Sequence, residues 1–146
     1  MIKDFDIVHI KEVAEIERLS FSDPWSENAL LESLESPYSF FKVFVDGGVL
    51  GYIGFYAVAG EGAVTNVAVH PNSRGLGIGE KLIKAIIEEG KRQNVEYITL
   101  EVRTSNEKAR RLYSRCGFID VGVRKNFYSN PKEDAVIMNY FFNKEK

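Results

Sequence analysis

Residues 64–87 read VTNVAVHPNSRGLGIGEKLIKAII, and this stretch decides the fold. An apolar, β-branched run ends at Val69, a polar turn follows, and RGLGIG at 74–79 opens a segment with helical spacing over Glu80–Gln93. Glycines let successive backbone N–H groups face one concavity, and the N-terminus of a helix adds partial positive charge. The pattern therefore predicts a strand, a loop that binds phosphate oxygens and a helix, with Arg74 adding a charge-assisted hydrogen bond.

Other glycine-rich motifs fit this loop less well. A Walker loop requires Gly-Lys-Ser/Thr before its helix, whereas Gly79 is followed here by Glu80, so that motif is excluded. The dinucleotide fingerprint G-x-G-x-x-G has a different spacing and belongs to the first β-α unit of a parallel sheet, although Glu101 resembles its ribose-binding acid. That fingerprint and a turn whose glycines serve packing alone remain the alternatives.

Composition narrows the class of protein. The chain has 146 residues, of which 45% are hydrophobic and 27% charged, and this favours one domain over 1–146. A net charge of −2 argues against a general nucleic-acid binder. No apolar run reaches the ~20 residues of a membrane-spanning helix, and acids stand where a secretory signal would be apolar. The single cysteine, Cys116, excludes a cysteine-based zinc site. Taken together, these observations lead us to expect a cytoplasmic protein that binds no metal, nucleic acid or membrane. Its oligomeric state stays open.

Periodicity in the first half predicts two helices followed by an antiparallel meander. Apolar residues recur at helical spacing over 9–21, and a second short helix follows a break. The β-rich runs FFKVFV (40–45) and VLGYIGFYAV (49–58) flank Asp46-Gly47-Gly48, which predicts a hairpin, and AVTNVAV (63–69) adds a third strand. The residues expected on the buried sides of the two helices are Ile10, Val13, Ile16 and Leu19, and Leu30, Leu31 and Leu34.

The second half alternates strands and helices. After the helix at 80–93 come the strand YITLEVR (97–103), a helix from about Thr104 to Arg115, and the strands FIDVGVR (118–124) and AVIMNYFF (135–142). Thr104 and Glu107 fit the S/T-x-x-E capping box, and Gly117 suits a helix C-terminus. The predicted fold class is therefore α+β, with a mixed central sheet that starts as a meander and continues through β-α-β crossovers.

Five blocks of the sequence resemble one known family. RGLGIG at 74–79 matches the acyl-CoA pyrophosphate loop of the GNAT acetyltransferase superfamily, whose pattern is Q/R-x-x-G-x-G/A. The other blocks are FSDPWSENAL (21–30), TNVAVHP (65–71), LEVRTSNEKARRLYSRCGF (100–118) and VGVRKNFYSNPKEDAVIM (121–138). Together they are similar to the RimI-type N-terminal alanine acetyltransferases of bacterial ribosomal protein, and they are spread over nearly the whole chain.

The resemblance implies a GNAT fold in which the strands at 63–69 and 97–103 run parallel and splay apart to admit the pantetheine arm of acetyl-CoA. It also implies that Glu101 is the general base and Tyr113 the general acid. The residues that it assigns to acetyl-CoA are Val67, Ala68, Val69, Arg74, Gly75, Leu76, Gly77, Ile78, Gly79, Glu80 and Asn106. On the acceptor side it points to Trp25 and Tyr128; Phe127 departs from a tyrosine of the family and lacks its hydroxyl.

Each of these roles has a structural alternative. In YITLEVR the apolar residues alternate with polar ones, so Glu101 faces away from the main apolar set, either towards a cleft or towards solvent beside Arg103 or a lysine. Tyr113 shares the apolar stripe of its helix and could be a core aromatic. Asn106 could cap the helix, and Trp25 could simply cover the core.

The expected reaction is acetyl transfer from acetyl-CoA to a protein N-terminus, with the N-terminal alanine of a ribosomal protein as the acceptor that the resemblance implies. An α-amine with a pKa near 8 is an easier nucleophile than a lysine with a pKa of about 10.4. Direct attack in a ternary complex is expected, since Cys116 lacks a histidine partner in any motif. The alternatives are a small amine or a lysine as acceptor, and a non-catalytic acyl-CoA-binding module.

Overall fold

The computed structural model describes residues 1–142, which form four helices and a seven-stranded sheet of order β1-β2-β3-β4-β5-β7-β6. The helices are α1 (Ile10–Ser20), α2 (Glu27–Glu35), α3 (Ile78–Arg92) and α4 (Glu107–Arg115). The strands are β1 (Ile2–Asp4), β2 (Lys42–Val45), β3 (Val49–Val58), β4 (Glu61–Val69), β5 (Tyr97–Arg103), β6 (Ile119–Ser129) and β7 (Lys132–Phe141). The predicted range 1–146 thus includes 143–146, which lie outside the described residues.

The predicted meander and the mixed sheet are confirmed. β2, β3 and β4 pair in antiparallel order, and the hairpin between β2 and β3 turns at Gly47 and Gly48, whose φ angles of +71° and +155° suit glycine. β4 and β5 are the parallel pair, joined by the crossover through α3. No helix among residues 1–142 is long and apolar enough to cross a membrane.

The helices cover the sheet from both faces. α3 and α4 pack on one face over a core that includes Ile83, Ile98 and Tyr113, while α1 and α2 pack on the other face over a core that includes Ile16 and Leu30. The buried positions of β5 alternate strictly, so its polar residues face the side of the sheet that carries α1 and α2. This places Glu101 opposite the main apolar set, as its sequence pattern predicts.

Two predicted apolar positions are wrong because the spacing drifts around the helix. Leu19 is 48% exposed, since it lies nine residues after Ile10 and a helix of about 3.6 residues per turn brings that position to the opposite side. The buried stripe continues instead at Glu17, seven residues after Ile10. In α2, Leu30 is buried and Leu31 is 37% exposed.

The predicted capping box of α4 is also wrong. The helix begins at Glu107 rather than near Thr104, and the side chain of Asn106 accepts a hydrogen bond from the N–H of Ala109 at 3.2 Å. Thr104 instead donates its hydroxyl to Glu133 Oε2 at 3.0 Å, a partner from β7 that no local pattern can reveal. Gly117, with a φ of +104°, follows the helix as expected.

Pairing between β4 and β5 is short. The two strands pair only at Glu61↔Tyr97, Gly62↔Ile98 and Ala63↔Thr99, although β4 continues to Val69 and β5 to Arg103. On its other side β4 has a bulge, because Gly54 of β3 alone faces two β4 residues, Thr65 and Asn66. The expected splaying of the parallel strands is therefore present, and it opens a gap in the middle of the sheet.

A buried ion cluster fastens α3 to the β1–β2 edge of the sheet. Glu89 is nearly fully buried, and its carboxylate lies 2.8 Å from the Nζ of Lys42 and 2.8 Å from a guanidinium nitrogen of Arg92. Gln93 donates to its second oxygen at 2.8 Å. Burial raises the pKa of Glu89, but the hydrogen bonds from Lys42, Arg92 and Gln93 outweigh burial and bring this pKa to about 2.

This depressed pKa predicts how stability depends on pH. The folded state holds Glu89 ionised at a pKa of about 2, against 4.5 for the ordinary group, so its contribution is complete above pH 4.5 and is lost as pH falls towards 2. We expect Glu89→Gln to lower the free energy of unfolding by about 3 kcal/mol at pH 7, and this deficit to shrink to near zero at acid pH. Urea unfolding of the wild type and the variant from pH 7 to pH 2 measures this deficit. A deficit that does not change with pH would contradict the depressed pKa of Glu89.

Candidate functional site

The gap between β4 and β5 exposes backbone groups of β4. The N–H of His70 donates to the carbonyl of Leu50 on β3 at 2.7 Å. Along a strand the backbone N–H and C=O groups point to alternate sides, so those of Ala68, two residues earlier, also point towards β3. Val67 and Val69 therefore direct their N–H and C=O groups towards β5, which no longer pairs with them. An extended ligand with amide groups could add to this free edge as a further strand would.

The glycine loop follows β4 directly. Gly75 and Gly77 have φ angles of +84° and +82°, and a Cβ added at either position would meet no atom within 4 Å. Gly77 is the N-cap residue of α3 and supplies no side-chain cap, so the N–H groups of the first helical turn are left without that partner. Leu76 is exposed and Ile78 is buried in the core. The loop therefore presents backbone donors and the positive end of the α3 dipole to an anion.

Arg74 holds this loop in place. Its Nε donates to the carbonyl of Val69 at 3.0 Å, and one terminal nitrogen donates to Ser20 Oγ at 3.2 Å. These bonds tie the loop to the end of β4 and to α1, and they occupy the Val69 carbonyl that faces the gap. The expected bond from Arg74 to a phosphate stays a prediction.

Glu80 and Gly79 lie in the first turn of α3, where α4 packs against it. Glu80 is 3.0 Å from Lys84 Nζ and 3.5 Å from a guanidinium nitrogen of Arg115, and the ammonium of Lys84 lowers the pKa of this carboxyl. A Cβ on Gly79 would lie 3.3 Å from a methyl group of Leu112. The small residue at 79 thus lets α4 approach the loop closely.

Glu101 stands on the open side of the sheet. Its carboxylate is about one-quarter exposed, and Oε2 lies 3.5 Å from the Nε of Arg124 on β6. The salt-bridge partner is therefore Arg124, and not Arg103 or a lysine as the structural alternative supposed. Because the contact is long and Arg124 is well exposed, solvent weakens the pair, and the carboxylate stays accessible to a ligand.

Tyr113 approaches from the other side of the sheet. It is 6% exposed and packs in the core with Phe118, and burial raises the pKa of its phenol well above the ordinary value. Its hydroxyl forms no hydrogen bond with any of residues 1–142. The core-aromatic alternative is thus correct for its ring, and a protonated O–H remains available as a donor.

Trp25 lines an open pocket between α2 and β3. Its backbone N–H donates to Glu17 Oε1 at 2.8 Å, and its ring centroid lies 6.2 Å from that of Phe41. The pocket has a volume of about 310 Å³ and is lined by Trp25, Ala29, Glu32, Ser33 and Tyr56. The indole therefore both covers the core and borders a cavity large enough for a side chain of a ligand.

Arg103 fixes Tyr128, and the sequence pattern did not reveal this. Its guanidinium lies 4.2 Å from the centroid of the Tyr128 ring and donates to the carbonyls of Pro131 at 2.8 Å and Asn130 at 3.3 Å. Ser22, in the loop before Trp25, donates its hydroxyl to the same Asn130 carbonyl at 2.7 Å. The turn between β6 and β7 is therefore joined to the loop between α1 and α2.

A buried network on the α1 side was also missed. The carboxylate of Glu17 is fully buried and accepts hydrogen bonds from the N–H of Trp25, from the hydroxyl of Tyr52 and, at 3.0 Å, from Nδ2 of Asn66. Burial raises the pKa of the Glu17 carboxyl, and it raises that of Tyr52 as well. The only sequence signal is that Glu17 falls on the buried stripe of α1.

The structure gives the remaining candidates local contacts. Cys116 is partly buried against the core and burial raises the pKa of its thiol, which makes it a poor nucleophile. His9 and His70 each accept a backbone N–H in a local turn, at 3.0 Å and 3.1 Å. The N-cap role of Asn106 is confirmed, while its contact with a cofactor stays a prediction. Among residues 1–142 no group of three or more His, Cys, Asp or Glu side chains could hold a metal ion.

Comparisons with known proteins agree with this geometry. The profile of the acetyltransferase (GNAT) family matches residues 10–118. A Bacillus subtilis (strain 168) relative, provisionally named ribosomal protein bS18-alanine N-acetyltransferase, is 37% identical over 139 residues, which cover 94% of this chain and 92% of the relative. The enzyme of that name from Haemophilus influenzae is 32% identical over 141 residues, which cover 94% of this chain and 96% of that enzyme. The crystal structure of ribosomal-protein-S18-alanine N-acetyltransferase from Escherichia coli superposes with a TM-score of 0.90 at 26% identity, covering 100% and 96% of the two chains.

The glycine loop yields a prediction about stability. Gly77→Ala should lower the free energy of unfolding by about 1–2 kcal/mol, because an L-residue at a φ of +82° is strained even though its Cβ has room. Gly122→Ala is the control, since Gly122 does not have a left-handed φ and an added Cβ would lie at an ordinary 3.6 Å from Ile137. Chemical denaturation measures both; equal stability of the two variants would contradict the left-handed conformation at Gly77.

Proposed function

The chain belongs to the GNAT family and is an acetyltransferase, and on this premise we propose that it acetylates the N-terminal α-amine of a protein. The acceptor that we propose is the N-terminal alanine of a ribosomal protein in the cytoplasm, by analogy with the relatives named above. The observation that carries the proposal is the gap between β4 and β5, which lies beside the glycine loop; Glu101 is on one face of the sheet and Tyr113 is in the core on the other face. We take 1–146 to be one domain.

Members of the GNAT family take the acetyl group from acetyl-CoA, and the residues around the gap fit that molecule. Its pyrophosphate suits the backbone N–H groups of 75–79 and the first turn of α3. Its pantetheine arm carries amides that suit the backbone groups of Val67 and the N–H of Val69, whose carbonyl already accepts from Arg74. Ala68 lies between these two residues, and Asn106 is near in sequence to the end of β5. When bound, acetyl-CoA supplies the activated acyl group as a thioester.

Glu101 is proposed as the base on the acceptor side. The nucleophile must be a neutral amine, and an α-amine with a pKa near 8 is partly protonated at neutral pH. An accessible carboxylate on the open face can take the ammonium proton, directly or through water. Attack then forms the C–N bond while the C–S bond breaks, without a covalent acyl-enzyme, because the thiol of Cys116 is held protonated.

Tyr113 is proposed as the acid on the acetyl-CoA side. The departing thiolate needs a proton, and the raised pKa of the Tyr113 phenol keeps its O–H protonated at neutral pH. Water then returns the proton to the phenol. Placing acid and base on opposite faces keeps the proton that leaves the amine apart from the proton that reaches the sulfur.

The acceptor peptide is proposed to lie between the loop that carries Trp25 and the β6–β7 turn that carries Tyr128. The hydrogen bond from Ser22 to Asn130 joins these two segments and supports one continuous binding wall. The indole and the phenol supply rigid aromatic surface for the first residues of a peptide. A small polyamine would leave most of this wall uncovered.

Glu101→Gln tests the proposed base. We expect acetylation of an Ala-first peptide to slow by about 100- to 10,000-fold, because positioned acid–base catalysis is lost, while the Kd for acetyl-CoA stays unchanged. Glu96→Gln, an exposed carboxylate just before β5, is the control and should keep full activity. Mass spectrometry of peptides that begin with Ala, Ser, Met or Gly, beside spermidine and free lysine, measures transfer. Acetylation of the small amines alone would contradict the proposed acceptor class.

Tyr113→Phe tests the proposed acid. Loss of the phenolic O–H should slow release of CoA at least about tenfold without destabilising the core, because the ring is retained. Tyr140→Phe is the matched control, since Tyr140 packs partly buried against the same core. A thiol-reactive dye follows CoA release; unchanged turnover in Tyr113→Phe would remove this residue from the mechanism.

A further inference from the structure

Asn66 lies at the bulge of β4 and faces the α1 side of the sheet. The bulge sets Thr65 and Asn66 opposite Gly54, where any Cβ would collide with the hydroxyl of Thr65. From this position Nδ2 of Asn66 reaches Oε2 of Glu17 at 3.0 Å and the hydroxyl of Tyr52 at 3.1 Å. Because these partners belong to α1 and β3, three elements of the fold converge on one side-chain amide.

The side chains of Asn66 and Glu101 lie on the same side of the gap. Ala63 pairs with Thr99 in parallel register, so Glu101, two residues further along β5, is level with the bulge at Thr65 and Asn66. Both side chains face the α1 side, Asn66 because it bonds Glu17 and Glu101 because it alternates with the buried Leu100. The amide and the carboxylate therefore stand on the two strands that border the gap.

The orientation of the amide is fixed by the chemistry of Glu17. Both oxygens of Glu17 act as acceptors, Oε1 from the Trp25 N–H and Oε2 from the Tyr52 hydroxyl, so the group that Asn66 turns towards Oε2 must be the NH₂ group. The carbonyl oxygen, Oδ1, then points away from the network, and it forms no hydrogen bond with any other of the described residues. It is not among their buried unsatisfied atoms either, so solvent or a ligand reaches it.

We propose that Asn66 binds the acceptor's α-amine by accepting one of its N–H groups at Oδ1, and that Glu17 and Tyr52 position the Asn66 amide for this contact. The inference rests on the proposed function and adds a residue to its acceptor site. A neutral primary amine has two N–H groups and one lone pair. Holding one N–H at β4 and the other at β5 aims the lone pair into the gap, where the thioester carbon must lie.

This role explains why an acid is buried at Glu17 with no cation beside it. A purely structural site would be served by an apolar side chain, because a buried carboxylate surrounded by neutral donors costs free energy of desolvation. Glu89 shows the structural solution in the same chain, where Lys42 and Arg92 neutralise the charge. At Glu17 the three donors come instead from the Trp25 loop, β3 and β4, which all border the acceptor site.

Asn66→Ala tests the contact directly. We expect kcat/KM for an Ala-first peptide to fall about tenfold or more, the effect of losing one hydrogen bond to an amine, while the KM for acetyl-CoA stays unchanged. Glu17→Gln gives a second route. The oxygen of the new side-chain amide still accepts from the Trp25 N–H, but its NH₂ group then faces Asn66. The Asn66 amide must turn its Oδ1 towards this donor, which withdraws Oδ1 from the acceptor's amine while the packing is kept. Glu12→Gln is the matched control, since Glu12 on the same helix accepts a hydrogen bond from the Val49 N–H, away from the gap.

The double variant separates positioning from stability. If Glu17 acts through Asn66, then Glu17→Gln/Asn66→Ala loses no more activity than Asn66→Ala alone, whereas independent effects multiply. The inference is overturned if Asn66→Ala keeps the wild-type kcat/KM for the peptide, if the losses multiply, or if the loss is confined to thermal stability. A wild-type chain that acetylates no peptide would instead contradict the proposed function itself, so the two failures are distinguishable.

Discussion

The site depends on the early end of pairing between β4 and β5. A parallel pair in the middle of a sheet would normally continue along both strands, because unpaired backbone groups away from water cost free energy. Here pairing stops after Ala63↔Thr99, and the bulge in β4 turns the backbone of Val67 and Val69 towards the opening. The free edge is therefore a binding surface that the fold supplies before any side chain is considered.

Two buried glutamates show how the same residue type serves fold and site. Glu89 is paired with Lys42 and Arg92, which depress its pKa and secure α3. Glu17 is buried among neutral donors, and burial raises its pKa. The cations beside Glu89 offset the free energy of burying its carboxylate. No cation among the described residues offsets it at Glu17, whose hydrogen bonds instead order the segments around the gap.

Much of the fold could be predicted from local patterns, since the hairpin at Gly47, the glycine loop and the alternation around Glu101 depend on residues close in sequence. The positions of Thr104 and Asn66 could not, because their partners Glu133 and Glu17 lie far away along the chain. The error at Leu19 came from a three-residue spacing that does not follow the helical turn. The proposed roles of Glu101 and Tyr113 came from the resemblance, and the structure adds only their placement on opposite faces of the sheet.

The proposed mechanism requires that the gap between β4 and β5 receives the acyl group. A crystal structure of the chain with acetyl-CoA and an Ala-first peptide tests it most directly. We expect the pyrophosphate on the N–H groups of 75–79, the pantetheine along Val67 and Val69, and the amine between Asn66 and Glu101. A complex in which the gap is empty, or in which β4 and β5 pair along their whole length, would contradict it.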